Sequence, residues 1–206
     1  MIAGTGKTYL TSRAIDEIQD TLKSNPNHEG LAFFYCNRNE TERQEPLSVL
    51  RSFVRQLSTI ANDEDSIQKN LRQLHIQTRL KASELNMDIC KGLLLEFINL
   101  YPKTTLVLDA LDECDKRKRG VLIETFDYFL DHASRPVKIF ISSRPDGDIK
   151  ERFKNRANIE IQATDNHDDI ATFVESEITK HRRWKKISLG LQEEIVETLQ
   201  KRSQGM

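Results

Sequence analysis

The sequence predicts an α/β fold, a three-layer sandwich around a parallel sheet, and two observations carry that prediction. Amphipathic helical patterns alternate with short strand patterns from the N-terminus to about residue 180, the order of elements that builds a parallel sheet with helices on its faces. The first strand pattern, Leu31–Cys36, is a continuous apolar run and not an alternating one, the mark of a strand covered on both faces.

Taken in order, the chain opens on Gly4-Thr5-Gly6-Lys7-Thr8. Read back from Gly6-Lys7-Thr8 this is the P-loop pattern G-x-x-x-x-G-K-[ST], with Met1 where the first glycine would stand. Leu10, Ala14, Ile18 and Leu22 then give a helix with one apolar face that stops at Ser24–Asn27. After the strand at 31–36, Asn37 to Glu45 is a polar loop, and Pro46 suits the first turn of a helix carrying Leu47, Leu50, Phe53, Val54 and Leu57. Residues 62–82 read as a surface helix with few apolar positions. A stronger helix spans about Ser83 to Leu100, with Leu85, Ile89, Leu93 and Phe97 on its apolar side, closed by Pro102.

A second strand, Thr104–Leu108, runs straight into Asp109-Ala-Leu-Asp112-Glu113. The basic run Lys116–Arg119 reads as a solvated loop-to-helix junction, with nucleic-acid contact as the lesser alternative. Residues 121–130 follow as helix and Val137–Ile141 as strand, ending in Ser142-Ser143-Arg144-Pro145. A short helix near Asp148–Phe153, a brief strand at Ile159–Ile161, a helix capped by Asp165 with Ile170, Phe173, Val174 and Ile178 inward, and a last helix from Ser188 complete the pattern. The expected organisation is a core over 1–164 and a C-terminal helical segment of the same module over 165–206.

Composition narrows the function classes. At 206 residues, 37% hydrophobic and 31% charged with a formal net charge of -1, the chain has enough apolar residues for a core and no global basic field for nucleic acid. Cys36, Cys90 and Cys114 are isolated and lack C-x-x-C spacing, which argues against a disulfide framework or a zinc site and for a reducing, cytoplasmic setting. No apolar run approaches membrane-spanning length, so no membrane partner is expected. None of the five histidines has metal-ligand company, and Trp184 in its basic turn reads as a helix-end anchor.

The residues that carry chemistry would share one rim of the sheet. Gly4 and Gly6 let backbone N–H groups turn inward, and the following helix points its positive dipole end at the same place. Lys7 can reach β- and γ-phosphate oxygens, and the Thr8 hydroxyl is placed to ligate the Mg²⁺ that bridges them. The alternative is a glycine-rich helix start that binds nothing. Asp109, at the tip of a buried strand, is placed to hold a Mg²⁺-bound water opposite Thr8. Either Asp112 or Glu113 could polarise the water that attacks the γ-phosphate, with Glu113 preferred. The competing reading is that these acids merely cap the next helix. Arg144 could report on the γ-phosphate, or else pair with Asp146 or Asp148 on the surface.

These motifs in this order, with Phe33-Phe-Tyr-Cys36 and Leu50-Arg-Ser-Phe-Val-Arg-Gln-Leu57 between them, resemble the NACHT-type domain of STAND P-loop NTPases. The nearest resemblance is to the nephrocystin-like N-terminal variety typical of fungal proteins with ankyrin or WD40 repeats. The resemblance implies a P-loop NTPase core lacking the strand before the P-loop, with C-terminal helices. It also implies backbone phosphate contacts at Gly4, Thr5 and Gly6, contacts to phosphate and metal from Lys7 and Thr8, a Walker B acid at Asp109, a trailing acidic pair at Asp112 and Glu113, and a sensor arginine at Arg144. Such domains bind ATP or GTP with Mg²⁺, hydrolyse it slowly as signalling switches and self-associate in the triphosphate state. In the family the absent strand lies beside the one ending at Ile141, and both ends of the chain look truncated. The alternative function is a non-catalytic fragment acting only as a protein-interaction module.

Overall fold

The computed structural model describes residues 6–24, 29–58, 85–161 and 187–203, together with 172, 176–177, 180 and 184. The surface helix expected at 62–82 and the Asp165-capped helix lie outside the described residues, as do Gly4 and Thr5, apart from position 180 and a few others in the latter segment. Two compact units are distinguished, one spanning Lys7–Arg152 and one that takes in Gly6 and the described residues from Phe153 on.

The first unit is an α/β sandwich. Its strands β1 (Gly30–Tyr35), β2 (Thr104–Asp109) and β3 (Val137–Ile141) form one parallel sheet in the order β1-β2-β3. The register pairs Tyr35 with Asp109 and Leu108 with Ile141, so all three strands deliver their carboxyl ends to the same rim. Every residue of β2 is buried. Since successive side chains point to opposite faces, both faces of the sheet are covered there. β3 differs: Lys138 and Phe140 on one of its faces are exposed.

Among the described residues five helices accompany the sheet: α1 (Lys7–Ser24), α2 (Pro46–Leu57), α3 (Met87–Leu100), α4 (Arg119–His132) and α5 (Gly147–Phe153). Local sequence sets their limits. Proline stands in the first turn of α2, where a missing N–H is harmless. α3 starts at Met87, later than the apolar pattern predicts, because Asn86 adopts extended backbone and its side chain accepts the Ile89 N–H at 3.0 Å. α2 packs on β1 and on α3, and α4 touches both helices and β3. The apolar faces meet in a core that includes Leu50, Phe53, Leu94, Phe97, Phe126 and Phe129. Phe53 stacks on Phe126 with ring centroids 6.3 Å apart. Each such side chain contributes about 1.5–3 kcal/mol through burial.

Two contacts fix how β1 sits. A Cβ on Gly30 would lie 2.9 Å from Tyr101 Cγ, so the strand begins where only glycine fits. Along the side of β1 away from β2, the Gln56 amide acts as a surrogate strand: its Oε1 accepts the Phe33 N–H at 3.0 Å and its Nε2 donates to the Phe33 carbonyl at 2.7 Å.

Three expectations need correction. The buried face of α1 is formed by Thr11 and Ile15, while Leu10 is exposed. This rotation follows from polar contacts of α1 with the rim, described below. Ile159–Ile161 has no strand pairing, and Ile159 is 91% exposed. Arg119 is not solvated with the rest of its basic run but buried at the start of α4. In the second unit, α6 (Leu189–Ser203) is anchored by Gln192, whose side chain donates to the carbonyls of Trp184 and Ile187. No helix among the described residues is long and apolar enough to cross a membrane.

Candidate functional site

The rim at the carboxyl ends of the strands centres on Asp109, the last residue of β2 and almost wholly buried. Three hydroxyls surround its carboxylate. Thr8 Oγ1 donates to Oδ2 at 2.8 Å, Thr11 Oγ1 lies 2.8 Å from Oδ1, and Ser142 Oγ donates to the same Oδ1. Thr11 Oγ1 is also 3.0 Å from the Lys7 carbonyl. It has one proton to give, and the buried carboxylate is the stronger acceptor. Thr8 and Thr11 stand three residues apart on α1 and therefore share a face. That polar pair docks the first turn of α1 onto the tip of β2 and turns Leu10 outward.

The start of α1 has the character of an anion-binding helix end. Gly6 precedes it with φ 74°, a left-handed conformation that glycine adopts without a Cβ penalty. No acidic residue stands in the first turn, and a helix N-terminus favours a negative partner. Lys7, the first helical residue, is half-buried.

Beyond Asp109 the chain turns sharply. Ala110 adopts φ 56°, ψ 52°, a conformation that costs an L-residue about 1–2 kcal/mol. Ser142 holds the turn: its Oγ accepts the Ala110 N–H at 2.9 Å, and its carbonyl accepts the Leu111 N–H at 3.0 Å. The turn delivers a short 3₁₀ segment, Leu111–Glu113, back to the rim.

There the two acids divide. Asp112 is the more enclosed, with its side chain 6% exposed against 22% for Glu113. Its Oδ1 accepts the Arg144 N–H at 3.0 Å, and its Oδ2 lies 3.5 Å from Arg144 Nε and 3.4 Å from a guanidinium nitrogen of Arg38. Asp112 thus braces the ends of β1 and β3 against each other. Among the described residues the Glu113 carboxylate hydrogen-bonds or ion-pairs with Arg38 alone: Oε2 accepts the Arg38 N–H at 3.2 Å, and Oε1 lies 3.4 Å from the guanidinium.

Arg144 therefore pairs with Asp112 and not with Asp146 or Asp148. Those two hold Arg119 instead. Its guanidinium lies 3.2 Å from Asp146 Oδ2, donates through Nε to Asp148 Oδ2 at 2.8 Å and also meets Asp148 Oδ1. The hydrogen bonds from Arg119 hold the Asp148 carboxyl below its ordinary range. Beside the rim, the Cys36 thiol is pushed up, first by its hydrogen-bonded neighbour Cys114 and then by burial.

Of the residues that sequence reasoning selected, the structure brings Thr8 to Asp109 and Arg144 to Asp112, with Glu113 alongside. It adds Thr11, Ser142, Arg38 and Arg119. The i, i+3 spacing from Thr8 could have flagged Thr11, and the place of Ser142 directly after an apolar strand could have flagged that residue; Arg38 and Arg119 gave no signal of their own.

A comparison with curated proteins finds no match. The family model described as nephrocystin 3, N-terminal, matches residues 1–144, a span from the glycine-rich start through Asp109 to Arg144. With well over half of its 206 residues matched, the chain belongs to the nephrocystin 3 N-terminal family.

Proposed function

We propose that this chain is a nucleoside-triphosphate-binding switch domain of the STAND type, in which ATP or GTP binds with Mg²⁺ and is hydrolysed slowly. The observation that carries the reading is the 2.8 Å contact between Thr8 and Asp109, two residues 101 positions apart. A hydroxyl on the first turn of a helix beside a carboxylate at a strand tip is the pair of hard oxygens that a nucleotide-bound Mg²⁺ needs, because that ion takes few protein ligands and keeps waters and phosphate oxygens for the rest. Bound there, Mg²⁺ would neutralise charge on the β- and γ-phosphate oxygens.

The chain's own residues supply the other roles. Gly4, Thr5 and Gly6 offer backbone N–H groups to the phosphates, and Lys7 adds a compact positive charge. Glu113 orients the attacking water. Asp112 serves less well as a base, since its side chain is the more enclosed, 6% exposed against 22% for Glu113. Arg144 reads the γ-phosphate by exchanging Asp112 for it. The three free thiols fit a cytoplasmic home, and self-association belongs to the triphosphate state. Lys7→Ala is the direct test: binding of Mg²⁺-ATP and Mg²⁺-GTP should weaken at least tenfold, and a variant that binds as well as the parent refutes the reading.

One observation favours a second reading, a protein-interaction module without catalysis. Among the described residues β3 pairs only with β2, and Phe140 stands 38% exposed on it. An open strand edge can take a strand from another chain. Association that rises with concentration and ignores nucleotide, measured by sedimentation, would favour this reading over the switch.

A further inference from the structure

The loop after β1 carries an arginine that no motif singled out. Asn37 Oδ1 accepts the Asn39 N–H at 3.0 Å, its Nδ2 donates to Glu40 at 2.7 Å, and Gln44 Nε2 donates to the Arg38 carbonyl at 2.8 Å. The far end of the loop is tied to the chain just beyond Glu113, because the Gln44 carbonyl accepts both the Asp115 N–H at 3.0 Å and the Cys114 thiol at 2.9 Å. Arg38 is therefore presented to the acidic pair by a braced backbone.

Its contacts are specific to one carboxylate. The Arg38 N–H takes Glu113 Oε2 and the guanidinium faces Oε1, so a single residue grips both oxygens of Glu113 and fixes the plane of the carboxylate. The same guanidinium nitrogen lies 3.4 Å from Asp112 Oδ2, which places a positive charge between two adjacent negative ones and offsets their repulsion. Half of the Arg38 side chain is exposed, so its packing contributes little to the fold. The arrangement resembles a base oriented by a third group, in which the orienting residue never touches the reacting atoms.

We infer that Arg38 is a positioning residue for Glu113: it holds the carboxylate in the orientation that directs water at the γ-phosphate. This inference rests on the nucleotide-hydrolysis reading above. The expected signature is in turnover and not in binding. Arg38→Ala should lower the kcat of Mg²⁺-nucleotide hydrolysis about tenfold while KM stays within about twofold, since the backbone N–H contact survives but the guanidinium does not. Arg38→Lys should recover part of the rate, having the charge without the planar fork.

A double-mutant cycle separates positioning from a general structural effect. If Arg38 acts through Glu113, then Arg38→Ala in a Glu113→Gln background should slow hydrolysis less than twofold further. A full tenfold loss in that background, or an unchanged kcat in the single variant, overturns the inference while leaving the nucleotide reading in place. A parent chain that binds nucleotide yet shows no hydrolysis removes the role of Glu113 and this inference with it. A parent that does not bind nucleotide removes both.

Discussion

Ala110 shows how one residue's backbone serves the whole rim. It sits in the left-handed region because the chain must reverse directly after Asp109 to return Asp112 and Glu113 to the strand ends. Glycine there would relieve about 1–2 kcal/mol of strain but lose about 0.5–1 kcal/mol more entropy on folding. Ala110→Gly should therefore be neutral to stabilising, by up to about 1.5 kcal/mol, whereas the β-branched Ala110→Val should destabilise by more than about 1 kcal/mol. Denaturant midpoints of the two variants check this, and a strongly destabilised glycine variant would contradict it. Arg119 teaches a different lesson. Its burial depends on Asp146 and Asp148, 27 and 29 residues away, so a local reading of four consecutive basic residues had no means to find it. The hydrogen bonds from Arg119 depress the Asp148 carboxyl, so Asp148 adds stability above the ordinary aspartate value, about 3.9, and loses it as pH falls through its lowered folded-state value. Thermal midpoints of the parent should fall as pH drops from about 5 toward 3, and Asp148→Asn should flatten that fall while lowering the midpoint at neutral pH. Parallel curves for parent and variant would contradict the assignment.

At the scale of elements, most of the pattern was legible because it rests on local rules. Pro46 marks the start of α2, and the apolar Leu106-Val107-Leu108 marks the strand read at Thr104–Leu108, whereas the helix start read near Ser83 gave way to the cap at Asn86. The rotation of α1 was not legible. Apolar spacing put Leu10 inward, yet the hydrogen bonds of Thr8 and Thr11 to Asp109 set the helix's angle about its own axis. A buried carboxylate left without donors would cost more than one exposed leucine. The edge of β1 was equally hidden, since nothing in a helix pattern says that Gln56 will satisfy a strand. Removing that amide in Gln56→Ala leaves the Phe33 N–H and carbonyl without their partner, and should cost about 1–3 kcal/mol. Amide hydrogen exchange should rise at Phe33 more than at β2 residues; unchanged protection there would show that the Gln56 bridge is dispensable.

Across the whole molecule, one geometric fact organises the rest: three parallel strands in register bring Asp109, the end of β1 and the Ser142–Arg144 segment to a single rim. Sequence order alone placed these residues at strand ends, and a parallel sheet is what makes strand ends neighbours. Which of them touch, and through which partners, depends on side-chain contacts between residues about 30 to 100 positions apart, beyond the reach of any sequence pattern. The account's central claim is that this rim, with the helix start at Lys7, receives a Mg²⁺-nucleotide. The measurement that tests it most directly is equilibrium binding of labelled ATP and GTP, with and without Mg²⁺. It would be made on the 206-residue chain, on its Asp109→Ala variant and on a form lengthened upstream by one strand. The expected result is binding that requires Mg²⁺ and falls at least tenfold when Asp109 is lost, in the chain itself or in the lengthened form. Failure of both forms to bind, or binding indifferent to Mg²⁺ and to Asp109, would contradict the claim and leave the interaction module as the better reading.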